Sequence, residues 1–167
     1  MILAPCRLDF KVVQKFGANP KIYKKFWLKG HNWLDIQMSI WTPLYAPMDW
    51  LTNVKSDKWW YWEHISLYGM PYNTDGDYRD ILLAHFSEIV VKDGDSVKAG
   101  DLLWYSGNSW FSFWNGKEYP NGWGYPHLHF SLRRRNNWRV INYDNGYYGS
   151  EDIFGKWYIM VNEVSKY

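Results

Sequence analysis

The apolar residues of this chain come in short runs that turn residues interrupt before any run reaches helical length. That punctuation limits the fold more than any other feature. No segment sustains a 3.6-residue period, so the sequence predicts an all-β chain with at most one short helix, near residues 20–26. Strands are expected at 34–40, 64–68, 78–85, 89–91, 102–105, 127–132 and 157–161. Between them stand NTDGD (73–77), KDGD (92–95), KAGD (98–101) and Asn-Gly pairs at 115–116, 121–122 and 145–146, all rich in residues that tolerate positive φ. The acidic pairs lack the alternating oxygen ligands and closing glutamate of a calcium loop, so they read as ordinary turns.

A chain of 167 residues suits one domain, here 1–167, and contains no repeat, linker or low-complexity tract. Its net charge of +2 comes without the concentrated basic face of a nucleic-acid binder, and the run Arg133-Arg134-Arg135 reads as a solvated strand end. No stretch reaches the ~18 apolar residues of a membrane span. The apolar run in residues 1–10 is too short for a signal peptide. The single cysteine, Cys6, allows neither an internal disulfide nor a cysteine-rich metal cluster. Aromatic residues make up 21% of the chain, and clusters at 59–62 and 110–114 are interrupted by Lys, Ser, Asn and Gly. Such neighbours suggest loops lining a binding groove.

Two stretches carry chemistry. In GYPHLHFSL (124–132), alternation along a strand puts His127 and His129 on one face and Leu128 and Phe130 on the other. Two hydrogen-bonded polar residues on a half-exposed strand would satisfy the same pattern, but two imidazoles on one face can also serve one small site. In KGHNWLDI (29–36), a straight strand would separate the α-carbons of His31 and Asp35 by about 13 Å, too far for both to bind one ion at about 2 Å. The chain must therefore bend, and Gly30 and Asn32 make the bend plausible. A His, an Asp and a further His would then give zinc three protein ligands and an open fourth position, which is a catalytic geometry.

In order and spacing these segments resemble the lysostaphin-type, or LytM-like, zinc endopeptidases of bacterial cell walls. The resemblance rests on HNWLD (31–35), LLAHFSEI (82–89), VKDGDSVKAGDLLWYSGNS (91–109) and PHLHF (126–130), and covers about residues 15–132. It implies a compact antiparallel β-sandwich or open barrel with long loops forming a groove. It implies one Zn2+ on His31, Asp35 and His129, with His85 and His127 as the non-ligand histidines of the active centre. His64 receives no role. Trp33 stands where the family usually has glycine.

The implied reaction is hydrolysis of a peptide bond in the stem or cross-bridge peptides of peptidoglycan, with one of His85 and His127 taking the proton of water and the other supporting the oxyanion or leaving amine. No acidic pair near the histidines suits glycosidic hydrolysis. Asn32, Trp60, Trp110, Trp123 and Tyr125 are expected to line the substrate groove. The alternative is a non-catalytic descendant that keeps the fold and binds the wall or a partner protein, although such proteins usually lose a ligand. A biotinyl-type carrier domain shares the turn pair at 91–103 but needs a Met-Lys-type motif that this chain lacks. Action at the cell wall without a signal peptide points to a phage-encoded chain, made in the host cytoplasm or carried in the virion, or to a secreted chain trimmed of its signal. Residues 133–167 depart from the family ending and read as an added loop and closing strand.

Overall fold

In the computed structural model the described residues are 2–3, 5–6, 11–47, 49–57, 62–71, 78–108, 112–114, 117–119, 126–136, 139–152 and 159–160. Strands β1 (Ile2–Leu3) and β2 (Lys11–Gln14) precede one helical turn, α1 (Pro20–Tyr23), which a 3-10 turn continues over Lys24–Phe26. Next come β3 (Leu34–Gln37), β4 (Pro43–Tyr45), β5 (Trp50–Asp57) and β6 (Trp62–Pro71). They are followed by β7 (Tyr78–Ala84), β8 (Phe86–Ile89), β9 (Ser96–Val97) and β10 (Leu102–Ser106). The last six are β11 (Ser112–Trp114), β12 (Lys117–Tyr119), β13 (His127–Asn136), β14 (Arg139–Val140), β15 (Ser150–Glu151) and β16 (Ile159–Met160).

Nine strands form one sheet, in the order β2-β3-β13-β7-β6-β5-β9 with β14 and β15 also paired to β13. A second sheet has the order β4-β10-β8, and among the described residues no barrel closes. Every pairing in both sheets is antiparallel. Alternation decides which side chains go inside. Ile36, Ile81, Leu83, Leu128, Phe130 and Leu132 of the large sheet join Leu44, Phe86, Leu103 and Trp104 of the small one in a single buried cluster. The opposite face of the large sheet carries a smaller cluster of Trp33, Leu82 and Ala84. That face also carries the histidines. Among the described residues no helix is long and apolar enough to cross a membrane.

The expected all-β architecture and the short helix are present. The turns at 92–95 and 98–101 close on themselves, with Asp95 and Asp101 accepting the amide N–H of Lys92 and Lys98 at 2.7 and 2.8 Å. Gly94 and Gly100 take φ of +84° and +91° there. Three expectations need correction. The strand expected at 89–91 is instead Phe86–Ile89, because β8 begins directly after the corner at His85 and pairs with β10 from Phe86 onward. The aromatic run at 110–114 is not wholly loop, since Ser112–Trp114 pairs with Lys117–Tyr119 as a hairpin, and Trp62 opens β6. Arg133 and Arg135 do not form a solvated strand end. Both arginines reach across to Asp80 on β7, at 2.6 and 2.8 Å, and Asp80 is fully buried. Of the expected turns, 73–77, 115–116 and 121–122 lie outside the described residues, and of the strand expected at 157–161 only 159–160 is described.

Candidate metal centre and its flanking cavity

Register in the large sheet brings the motifs together. His129 on β13 is the direct cross-strand partner of Asp35 on β3 and of Ala84 on β7, while His127 faces Gln37. A small residue at Ala84 leaves room above the strand for the His129 ring, and the next residue, His85, turns inward at the corner between β7 and β8. That corner is strained. His85 has φ +76°, uncommon for a residue with a β-carbon, and its carbonyl accepts the Gly107 N–H at 2.9 Å. A β-carbon on Gly107 would lie 2.2 Å from the Ser87 nitrogen, so only glycine permits β8 and β10 to approach here.

His31 arrives from a different element. Its N–H donates to the Ala18 carbonyl at 2.8 Å and its carbonyl accepts from the Gly17 N–H at 2.7 Å, which pins the segment before β3 to the loop after β2. Gly30 allows this approach, because a β-carbon there would sit 2.4 Å from the Gly17 oxygen. The bend between His31 and Asp35 comes before β3 begins at Leu34. Trp33 does not need glycine's backbone freedom, since it is not among the residues with positive φ. Its buried ring instead packs edge-on to His129, with centroids 4.4 Å apart, and forms part of the site's floor.

Two contacts centre on the Asp35 carboxylate. His31 Nε2 lies 3.5 Å from Oδ2 and His129 Nε2 lies 3.3 Å from Oδ1. One donor atom from each of the three residues fits within a 4.8 Å cluster. His85 Nε2 approaches His129 Nδ1 at 2.6 Å, and the His127 ring is centred 4.9 Å from that of His85. His85, His127 and His129 also fall within a 4.8 Å cluster, so His129 belongs to both groups. Burial pushes the His31 imidazole down to about 4, His127 adds to that shift, and the backbone of Lys15 and Trp33 offsets it only in part. Burial, then the neighbouring rings of His85, His127 and His31, hold His129 well below the ordinary imidazole value. At neutral pH both rings are therefore neutral, the form that binds a metal. Burial raises the Asp35 carboxyl well above its ordinary range.

The donors fit a zinc ion. Nε2 of His31 and Oδ1 of Asp35 are buried without a close hydrogen-bond partner, a costly arrangement that a cation would relieve. Two imidazoles and a carboxylate match a catalytic rather than a closed structural set, and Cys6 is buried in the core.

A cavity of about 600 Å³ opens beside these residues, lined by His31, Asn32, Trp33 and His129 on one side and by Tyr23, Trp27, Tyr143 and Tyr148 among others. Asn32, expected to touch substrate, does line it. Trp60, Trp110, Trp123 and Tyr125 lie outside the described residues. Sequence reasoning missed Tyr23, whose hydroxyl accepts from Gln14 Nε2 at 3.0 Å and is pushed up to about 12 by burial and by the nearby Asp35 charge. It also missed Trp27, Tyr143 and Tyr148. No local motif marks these residues, since what unites them is long-range packing.

No family model and no curated protein matches this sequence. Solved structures do. The catalytic domain of lysostaphin from Staphylococcus simulans superposes with a TM-score of 0.60 at 22% identity, over 87% of this chain and 90% of that one. Against the longer lysostaphin chain the match spans 48% of its length. The catalytic domain of the prophage-encoded M23 protein EnpA from Enterococcus faecalis matches at 25% identity and a TM-score of 0.54, over 81% of this chain and 89% of that one. A zinc-containing peptidase from Vibrio cholerae matches at 21% identity and 0.56, over 84% and 39%. The chain thus has the lysostaphin-type peptidase fold.

Proposed function

We propose that this chain is a zinc-dependent endopeptidase that hydrolyses peptide bonds in the stem or cross-bridge peptides of peptidoglycan. The observation that carries the reading is the buried Asp35 carboxylate between the nitrogens of His31 and His129, with donor atoms that no protein group satisfies. His31, Asp35 and His129 would hold the metal, which when bound supplies a Lewis acid for the scissile carbonyl. His85 and His127 sit against this group and have the right chemistry for proton traffic. One accepts a proton from the attacking water, and the other donates to the developing oxyanion or the leaving amine. The 2.6 Å contact between His85 and His129 requires one of the two nitrogens to carry the shared proton, which orients both rings. Trp33 limits how far the His129 ring can swing. The cavity's aromatic lining suits an extended peptide.

The substrate class draws support from the name of lysostaphin, described as an antimicrobial peptidase, and the metal from the zinc-containing Vibrio cholerae peptidase. Action at the bacterial cell wall follows from the same reading, and the prophage-encoded EnpA supports a phage origin. On this reading residues 1–167 form one peptidase domain. Metal analysis paired with mass spectrometry of digested walls tests it. About one zinc per chain and new amino termini are expected. New reducing ends from a zinc-independent reaction would overturn the endopeptidase reading, and zinc without hydrolysis would favour a wall-binding protein.

A further inference from the structure

The C-terminal loop at 141–149 has no part in the chemistry above, yet it builds one wall of the cavity. It is held firmly. Lys29 donates from its amide to the Gly146 carbonyl and from Nζ to the Asn145 carbonyl, both at 2.9 Å. The Tyr148 hydroxyl donates to the Phe26 carbonyl at 2.6 Å, and Tyr147 packs on Phe16 with centroids 4.4 Å apart. Within the loop, Asn145 Oδ1 accepts the N–H of Tyr147 and Gly149. This bracing presents Tyr143, stacked on Tyr148 at 5.4 Å and 26°, with 59% of its surface still exposed. The same cavity is also lined by Trp27, 88% exposed and held at φ +62°. A strained backbone that places the largest apolar side chain in water is costly to keep without a ligand.

The segment 11–33, which carries Trp27 and Lys25, bears charge of one sign. Lys11, Lys15, Lys21, Lys24, Lys25 and Lys29 are all exposed, and no aspartate or glutamate occurs between Phe10 and Leu34. Lys25 itself lines the cavity, its ammonium 4.9 Å from the centre of the Phe26 ring. The loop's own acid, Asp144, is exposed and does not line the cavity.

We infer that Trp27, Tyr143 and Lys25 form a specificity subsite beside the metal centre that takes a carboxylate-bearing segment of a peptide, the two aromatic rings flanking the chain and Lys25 meeting the carboxylate. The inference rests on the peptidase reading for the identity of the ligand. It does not rest on it for the binding itself. Lys25 is the only cation lining the cavity among the described residues, so it alone should read carboxylate against amide. Tyr143 and Trp27 should hold either form.

Calorimetric titration of the metal-free chain tests this without turnover. The probes are a synthetic stem-type tetrapeptide whose γ-linked glutamate keeps its α-carboxylate, and the same peptide as the α-carboxamide. The wild-type chain should bind the carboxylate form about 10-fold more tightly, and Lys25→Gln should reduce that preference to about 2-fold or less. Tyr143→Ala should weaken both peptides about 10-fold, and Tyr143→Phe, which keeps the ring, should restore them. Equal affinity of the wild-type chain for the two peptides, no binding of either, or preference unchanged in Lys25→Gln would overturn the subsite. Tyr143-dependent binding of a chitooligosaccharide in place of the peptides would reassign the wall to glycan and overturn it too. A chain that binds selectively but cleaves no wall peptide keeps the subsite and loses the peptidase function. A chain that cleaves without Lys25-dependent preference does the reverse.

Discussion

Two buried carboxylates meet the same strand, β13, and their surroundings differ. Asp80, on β7 opposite Arg133, receives Arg133 Nη2 at 2.6 Å and Arg135 Nε at 2.8 Å on one oxygen, so its charge is more than neutralised by the protein itself. Asp35, on β3 opposite His129, faces two imidazoles at 3.3–3.5 Å, and burial keeps the rings uncharged. The first cluster is complete in charge, although Asp80 Oδ1 and Arg133 Nε are themselves buried without a hydrogen-bond partner. The second differs not in its buried unpartnered atoms but in having no protein cation among the described residues, an arrangement that makes sense when a metal supplies the charge. One strand thus carries a charge-compensated ion cluster near its C-terminal end and the candidate metal-binding histidines at its beginning.

The largest effect should come from the incomplete cluster. Asp35→Ala and His129→Ala should each abolish zinc retention and wall hydrolysis, read as metal per chain and release of new amino termini. A folded Asp35→Ala protein that keeps its full zinc would remove Asp35 from the ligand set. Next in size, His85→Ala and His127→Ala should keep the metal and lose on the order of 10²–10⁴ in rate, the usual worth of a positioned acid or base. His129 belongs to both possible donor groups, so metal content separates them. If His85→Ala loses zinc as fully as His129→Ala, the assignment of ligands must move to the His85, His127, His129 group.

The complete cluster should answer in the opposite currency. Asp80→Ala strands two arginines against buried surface, which should cost about 3–5 kcal/mol and lower the Tm by on the order of 10 °C. Zinc per folded chain should not change. An Asp80→Ala protein as stable as wild type would mean that water already neutralises the arginines.

How much of this the sequence made legible depended on range. The His127–His129 alternation and the glycine turns at 94 and 100 are local, and period two or positive φ is written in neighbouring residues. That His31 and Asp35 need a bend was also legible, but its cause was not, because Gly30 matters through contact with Gly17, an approach no motif encodes. The arginine run misled for the same reason. Its partner Asp80 lies 53 residues from Arg133, and only strand register shows that they face each other. Tyr143 reaches the cavity through hydrogen bonds between Lys29 and a loop 116 residues away. Aromatic richness was visible, but not which rings would meet.

The smallest effect sharpens the comparison by its sign. In the metal-free chain Asp35 is a buried carboxyl whose folded pKa lies well above the unfolded value of about 3.9. The folded state then binds the extra proton, so this group's contribution to stability falls as pH rises from about 4 through the folded pKa. His31, lowered to about 4, contributes the opposite slope, gaining stability as pH rises from about 4 to its unfolded value of about 6.5. Comparing Asp35→Asn with wild type cancels the histidine contribution to first order and isolates the carboxyl. Without metal, Asp35→Asn should be the more stable protein at pH 7 by about 1–2 kcal/mol in urea, since a neutral amide of the same shape avoids the buried charge. The gap should close as pH falls below about 4, where Asp35 becomes protonated in the unfolded state as well. Excess zinc should reverse the order, because wild type binds it in the folded state and gains about 4 kcal/mol at a thousand times its Kd. An Asp35→Asn protein that is less stable than wild type at pH 7 without metal, as Asp80→Ala should be, would show that the histidines already neutralise Asp35 and that the two clusters are alike.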